Sequence, residues 1–201
     1  MSTVTLREPI GESAIELFPS DELYEIIDGQ RVELPPMAIY SVWFASVLHG
    51  YLTLYARTKG MGRALSEALF RLPAPADRNR RPDVAFVSYQ RWPKNRSVPR
   101  TGNAWNVVPN VAIEVVSPSD GADELEDKIG EYLRAGVELV WVVYPLHTKV
   151  YVHESAKQVR VLSIDDELDG GTVLPGFKLA LSELFAEAGE NPAEGNGSAV
   201  P

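Results

Sequence analysis

Three charged residues stand where charge is hard to accommodate. Glu114 interrupts the apolar run from Val111 to Val116, and Asp83 heads the shorter run Val84–Val87. In a strand, alternate residues share a face. Val111, Ile113 and Val115 therefore point one way, and Ala112, Glu114 and Val116 the other. A carboxylate among such neighbours is at least partly buried. Burying it without a partner costs several kcal/mol or forces it to protonate.

Lys128 is a candidate partner. It follows the Glu114 strand on a helix whose apolar residues Leu125, Ile129 and Tyr132 share one side. Its flank borders that packed face, so its amine can reach back over the strand end. Two strand acids and one helix lysine make a candidate metal-dependent centre. The acids would hold Mg²⁺ (or Mn²⁺), which favours oxygen ligands and keeps several waters. The metal would polarise a phosphate and acidify a water, and the lysine would steady charge developing on the phosphate oxygens. A plain structural reading fits the same residues: an ion pair between Glu114 and Lys128, with Asp83 capping a turn. Residue types alone leave both open.

The surrounding elements must bring the three together. Residues 24–35 read as a hairpin turning at Asp28-Gly29, a favoured tight-turn pair. From Ala38 to Thr58 there is no proline, and apolar residues recur at mostly helical spacing, ending at Gly60 and Gly62. Residues 64–72 read as one strand and 81–89 as another, opened by Pro82. A long basic loop over 90–108 leads to a third strand over 110–117. A helix over 123–136 follows, with Ser119 or Asp120 expected to cap its start and Gly136 its end. The Val-rich run 138–145 reads as a central strand buried on both faces. Runs 149–155 and 158–164 form a closing antiparallel pair, and 173–185 adds a short strand and turn. The order describes an α/β sheet with helices packed on it. It divides the chain into a lead-in (1–20), one domain (21–187) and an acidic tail (188–201) whose composition reads as disordered.

Composition narrows the chemistry. The chain has 201 residues, which suits one domain, and no cysteine, which excludes disulfides, thiolate metal sites and cysteine nucleophiles. No apolar run reaches the roughly 18 residues that span a bilayer. The N-terminus lacks the pattern of a secretory signal, so the expected location is the cytoplasm. Net charge is −9, but it is unevenly spread. Residues 57–100 carry eleven basic and three acidic side chains, whereas 163–201 carry eight acids and one base. The basic stretch over 78–100 is a candidate grip for a nucleic-acid backbone or an ordinary solvated surface. Trp92 and Trp105 bracket its loop, either to stack on bases or to pack the loop down. His147 and His153 lack the further ligands that a zinc site needs.

The ordered set Tyr24-Glu25-Ile26-Ile27-Asp28-Gly29, a long helix, Gly60-x-Gly62, Arg81-Pro82-Asp83, Glu114-Val115-Val116-Ser117-Pro118-Ser119-Asp120, Lys128-x-x-x-Tyr132-x-x-x-Gly136 and Trp141-Val142-Val143-x-Pro145 resembles the Uma-type putative restriction endonuclease family within the PD-(D/E)XK nuclease superfamily. The likeness runs from about residue 24 to 152. It implies a restriction-endonuclease-like mixed central sheet flanked by helices. It also implies a Mg²⁺-dependent endonuclease acting on DNA, with Pro82-Asp83 as the PD element, Glu114 as the second acid and the Val115 carbonyl as a further metal ligand. The superfamily lysine normally stands two residues after that acid, where this chain has Val116. The resemblance moves that role to Lys128 on the following helix, and Glu25 becomes a further acid near the site. Relatives often carry a histidine near the start of the long helix, where this chain has Ser41. A homodimer is expected, since cutting two strands needs two centres and two-fold pairing is the commonest assembly. The alternatives are a protein that binds or assembles on nucleic acid with little turnover, or an enzyme acting on RNA.

Overall fold

The computed structural model describes residues 23–73 and 78–189. The expected lead-in and nearly all of the acidic tail lie outside the described residues.

The chain opens with the expected hairpin, β1 (Tyr24–Ile27) and β2 (Gln30–Glu33). Asp28 and Gly29 between them both take left-handed backbone angles, φ 52° and 74°, as a two-residue hairpin turn requires. Helix α1 (Ile39–Lys59) follows and ends where Gly60 turns left-handed and donates its N–H to Ala56 O. The run read as one strand over 64–72 is two. Glu67 sits at φ 50° and divides β3 (Gly62–Ser66) from β4 (Phe70–Leu72), which join different sheets. The run read as one strand from Arg81 is also shorter than expected. It begins at Val84 as β6 (Val84–Ser88), separated by Arg81-Pro82-Asp83 from β5 (Arg78–Arg80).

The remaining elements follow the expected order up to the strand that ends at Leu162; beyond it a strand over Glu167–Gly170 is added, and the run 173–185, read as a short strand and turn, is a strand and a short helix. These elements are β7 (Val111–Val115), α2 (Ala122–Ala135), β8 (Leu139–Tyr144), β9 (Lys149–Ser155), β10 (Gln158–Leu162), β11 (Glu167–Gly170), β12 (Leu174–Ala180) and α3 (Leu181–Ala186). The N-cap of α2 is Gly121, without a side-chain cap. Neither Ser119 nor Asp120 caps it, because the Asp120 carboxylate accepts the Ser117 N–H at 2.7 Å and closes the preceding turn instead.

The main sheet has six strands in the order β10-β9-β8-β7-β6-β3. Its one parallel pair is β7 with β8. Parallel neighbours need a crossover, and α2 supplies it. A four-stranded sheet, β2-β1-β5-β4, stands beside the main one, and β11 pairs with β12.

The alternation expected of β7 holds. Val111, Ile113 and Val115 pack with Phe44, Leu48 and Leu52 of α1, and with Trp141 of β8. Ala112 packs on the other face with Ile129 and Tyr132 of α2, and with Val140 and Val142. Glu114 shares that second face. All five residues of β7 are buried, as are the first five of β8. Each fully buried Val, Leu, Ile or Phe side chain stabilises the fold by about 1.5–3 kcal/mol, so the strand carrying Glu114 is held in place from both sides.

Gly62 begins β3 where a Cβ would stand 2.4 Å from Val87 O and 2.6 Å from Phe86 Cζ. Gly62→Ala should destabilise the domain by about 1–3 kcal/mol, the usual penalty of overpacking. A denaturant midpoint indistinguishable from the parent's would contradict this close strand approach.

Candidate active site

Asp83, Glu114, Val115 and Lys128 all line one cavity of about 390 Å³. Three features of the chain deliver them: a bend, a strand and a helix. Asp83 sits in the bend before β6, and one of its carboxylate oxygens accepts the Val115 N–H at 2.6 Å. That bond ties the bend to the end of β7. Glu114 lies one residue earlier on β7 and is 6% exposed. Helix α2 leaves the end of β7 and folds back over the Glu114 face. This brings Tyr132, eighteen residues on, to donate its hydroxyl to Glu114 Oε1 at 2.7 Å. Lys128 is one helical turn before Tyr132 on the same side, and its Nζ lies 3.9 Å from Glu114 Oε2. Only 14% of the lysine side chain is exposed.

Burial dominates the electrostatics. Loss of water pushes the Asp83 carboxyl above its ordinary range, against the opposing pull of the Val115 N–H and the Lys128 charge. Loss of water also raises Glu114; Lys128 opposes the rise and the neighbouring Asp83 charge adds to it. Desolvation works against the Lys128 ammonium, yet Glu114, Glu25 and Glu124 outweigh it and raise its pKa. Burial and the Glu114 charge hold the Tyr132 hydroxyl well above its usual value, so it stays a donor. One ammonium thus faces two buried acids that lack full compensation.

A hard divalent cation fits this donor set. Two carboxylates meet at one cavity with room for water, and Mg²⁺ commonly takes one or two carboxylates and keeps several waters. Among the described residues no group of three or more His, Asp or Glu side chains is arranged to hold a metal. A cation here would complete its shell with water and main-chain oxygen.

Residues 12–182 match the Uma2 family, described as putative restriction endonuclease. The chain belongs to the Uma2 family. A similar solved structure is that of a putative nuclease belonging to DUF820 from Anabaena variabilis. It is 20% identical, superposes with a TM-score of 0.75, and the match covers 90% of this chain and 99% of that one. At that identity the likeness is one of fold, and it agrees with the restriction-endonuclease-like mixed sheet flanked by helices. No curated protein matches. Among the described residues of this Uma2-family chain, no helix is long and apolar enough to cross a membrane.

The basic stretch behaves differently from its reading as a backbone grip. Arg78 pairs with Asp28 and Glu131, Arg80 with Glu25 and Glu131, and Arg91 with Glu138. The Arg81 guanidinium donates to the Tyr24 and Glu67 carbonyls. Residues 89–100 also lie at the wrong end of the sheet. They follow Ser88, whose N–H bonds Asn110 Oδ1 at 2.8 Å, whereas the cavity is at the Asp83 end of β6. Arg81 and Lys128 are the cations lining the cavity, against the carboxylates of Glu33, Glu67, Asp83, Glu114, Asp120 and Glu124.

Base stacking by the loop tryptophans falls on packing grounds. Trp92 and Trp105 are 5% and 7% exposed and meet edge to face, with centroids 5.1 Å apart. Ser41, near the start of α1, donates its hydroxyl to Val116 O at 3.2 Å. His49 lies farther along α1, 3.4 Å from the Thr53 hydroxyl.

The site neighbours that escaped the sequence reading are Tyr132 and, in the network around Glu25, Arg80 and Glu131. Tyr132 reads as a core residue, although its spacing from Lys128 places both on one helix side. The buried network Glu25–Arg80–Glu131 joins β1, β5 and α2, with Arg80 Nη1 2.6 Å from Glu25 Oε2 and Arg80 Nε 2.5 Å from Glu131 Oε2. Its only local trace is the alternation of Arg78 and Arg80 on one strand face. Arg80 is 2% exposed, so Arg80→Met should destabilise by about 3–5 kcal/mol, because it takes the shared cation from two buried carboxylates. Chemical unfolding measures this, and a loss below about 1 kcal/mol would fit only a solvated pair.

The raised Glu114 pKa has a defined sign in stability. Its protonated form stabilises the metal-free fold below the ordinary carboxylate range, and that contribution is lost as pH rises through the raised folded value. In chelator, Glu114→Gln should therefore melt higher than the parent at about pH 8, with the difference shrinking towards about pH 5. A difference independent of pH would contradict an uncompensated buried acid.

Proposed function

We propose that this chain is a divalent-metal-dependent endonuclease that hydrolyses DNA phosphodiester bonds. Asp83, Glu114 and Lys128 form its catalytic centre. The convergence of two buried, undercompensated carboxylates and one ammonium on a single cavity carries this reading. Membership of the Uma2 family supports the nuclease class.

Asp83 and Glu114 would hold Mg²⁺ or Mn²⁺ together with the Val115 carbonyl. When bound, the cation supplies Lewis-acid polarisation of a phosphoryl oxygen and lowers the pKa of water. The chain's own side chains do the rest. Tyr132 pins Glu114 Oε1 through its hydroxyl and keeps that carboxylate oriented. Lys128 stands 3.9 Å from Glu114 Oε2 and presents N–H donors towards the cavity, where they steady the attacking water or the charge growing on phosphate oxygens. The wall of Leu34, Pro35, Pro36, Met37 and Leu125 excludes bulk water from one side of the reaction.

A homodimer would place two such centres on opposite strands. The excess of acid around the cavity favours a second reading, in which the protein binds or assembles with little turnover. The two readings separate on Glu114→Gln: an enzyme loses cleavage and keeps DNA binding, whereas a binding protein loses neither property because it has no cleavage to lose. An RNA substrate would show in a parallel substrate panel.

Plasmid incubated with the purified protein and Mg²⁺ should be nicked or linearised, and chelator should stop the reaction. Asp83→Ala, Glu114→Ala and Lys128→Ala should each lower the rate by roughly 10²-fold or more, the scale of losing a group that stabilises transition-state charge. Cleavage that persists in all three variants, or that ignores chelator, would refute the assignment.

A further inference from the structure

Glu25 is the most deeply buried acid near the cavity, at 0% exposure, yet it does not line the cavity. Both of its oxygens are already committed. Oε2 accepts from Arg80 Nη1 at 2.6 Å, and Oε1 accepts the Arg81 N–H at 2.9 Å. A carboxylate so engaged is poorly placed to leave its partners for a metal. Its Oε1 nonetheless lies 3.8 Å from Lys128 Nζ.

The ammonium has an unusual setting. Its three carboxylate neighbours, Glu25, Glu114 and Glu124, stand at 3.8, 3.9 and 3.9 Å. All three distances exceed hydrogen-bond length. Among the described residues, the group is therefore held by charge from three carboxylates without a hydrogen bond to any of them. Glu124 is 57% exposed on its side chain, so water weakens its hold. Glu114 is the acid on which Lys128 acts. Glu25 is the remaining anchor, and it is itself fixed by Arg80, whose other end grips Glu131 on α2, three residues beyond Lys128. The chain of contacts runs from β1 through β5 to the helix that bears the lysine.

We infer that Glu25, clamped by Arg80 to Glu131, is a positioning residue that fixes the Lys128 ammonium over the cavity without touching metal or substrate. This rests on the nuclease reading for its effect on rate, but the physical link between Glu25 and Lys128 is testable without it.

The test is a double-mutant cycle on the full chain with Glu25→Gln and Lys128→Met. Gln keeps the shape and an acceptor for Arg80 but removes the charge. In plasmid cleavage, Glu25→Gln should lower kcat by roughly 10–100-fold, the range carried by groups that orient a functional residue. KM and the Mg²⁺ dissociation constant from calorimetry should stay within about twofold of the parent's, since a group off the cavity makes no uniform binding contact. Glu25→Asp, which restores the charge, should recover part of the rate. In the Lys128→Met background, Glu25→Gln should cost no further rate, because coupled residues are non-additive.

The same cycle read by chemical unfolding serves if the parent protein cleaves nothing. There the stability loss from Glu25→Gln should be smaller in the Lys128→Met background than in the parent. Additive effects in both readouts would overturn the inference while leaving the nuclease assignment standing. Coupled unfolding with no cleavage by the parent would do the reverse. Weakened Mg²⁺ binding in Glu25→Gln would make Glu25 part of the metal site and would also overturn it.

Discussion

The structure is organised around one electrostatic problem: a carboxylate in the middle of a buried strand. Glu114 stands on β7, where every residue is buried, and an unpaired charge there would cost more than most single packing contacts return. The fold answers from three directions. Tyr132 donates a hydrogen bond, Lys128 brings an opposite charge, and Asp83 is drawn alongside by the Val115 N–H. The last answer is paradoxical, because a second acid makes the first harder to ionise. Two acids brought together against Coulomb repulsion make poor structural sense as a simple ion pair with one lysine. The proposed role of the two carboxylates as ligands of a divalent cation would account for the pairing.

The small sheet is the other half of the answer. Its hairpin carries Glu25, and β5 carries Arg78 and Arg80. Together they place a buried line of alternating charges, Glu25–Arg80–Glu131, under α2. Buried ion pairs are a weak source of stability, but breaking one is expensive. Such a line therefore fixes geometry more than it adds to the free energy of folding. It also explains why a stretch so rich in arginine leaves little positive charge at the cavity. The guanidinium groups of Arg78, Arg80 and Arg81 join secondary structures together, and those from residue 89 onward stand at the far end of the sheet.

The sequence reading and the structure part company where local pattern is silent. The order of elements, the Asp28-Gly29 turn, the extent of α1 and α2, and the two faces of β7 are all legible, because each follows from spacing, turn chemistry or alternation within a few residues. The split of the run 64–72 is not legible. Glu67 adopts φ 50°, and nothing in its own side chain calls for it; the break comes from β3 and β4 joining separate sheets. Nor are the caps of α2 legible, since Ser119 and Asp120 both have suitable side chains and only the turn at Ser117 decides how Asp120 is used.

By itself, the sequence determined which residues could carry chemistry here. Acids in apolar strands and a lysine on the border of a helix face are costly in any fold, so their presence already marks them. Tertiary structure alone decided that Asp83, Glu114 and Lys128 open on one cavity, that Tyr132 attends them, that Arg80 ties Glu25 to Glu131, and that most of the basic segment lies elsewhere. Those outcomes depend on which strands pair and which way a helix returns. Pairing joins residues far apart in the chain, and no pattern within a few residues encodes it.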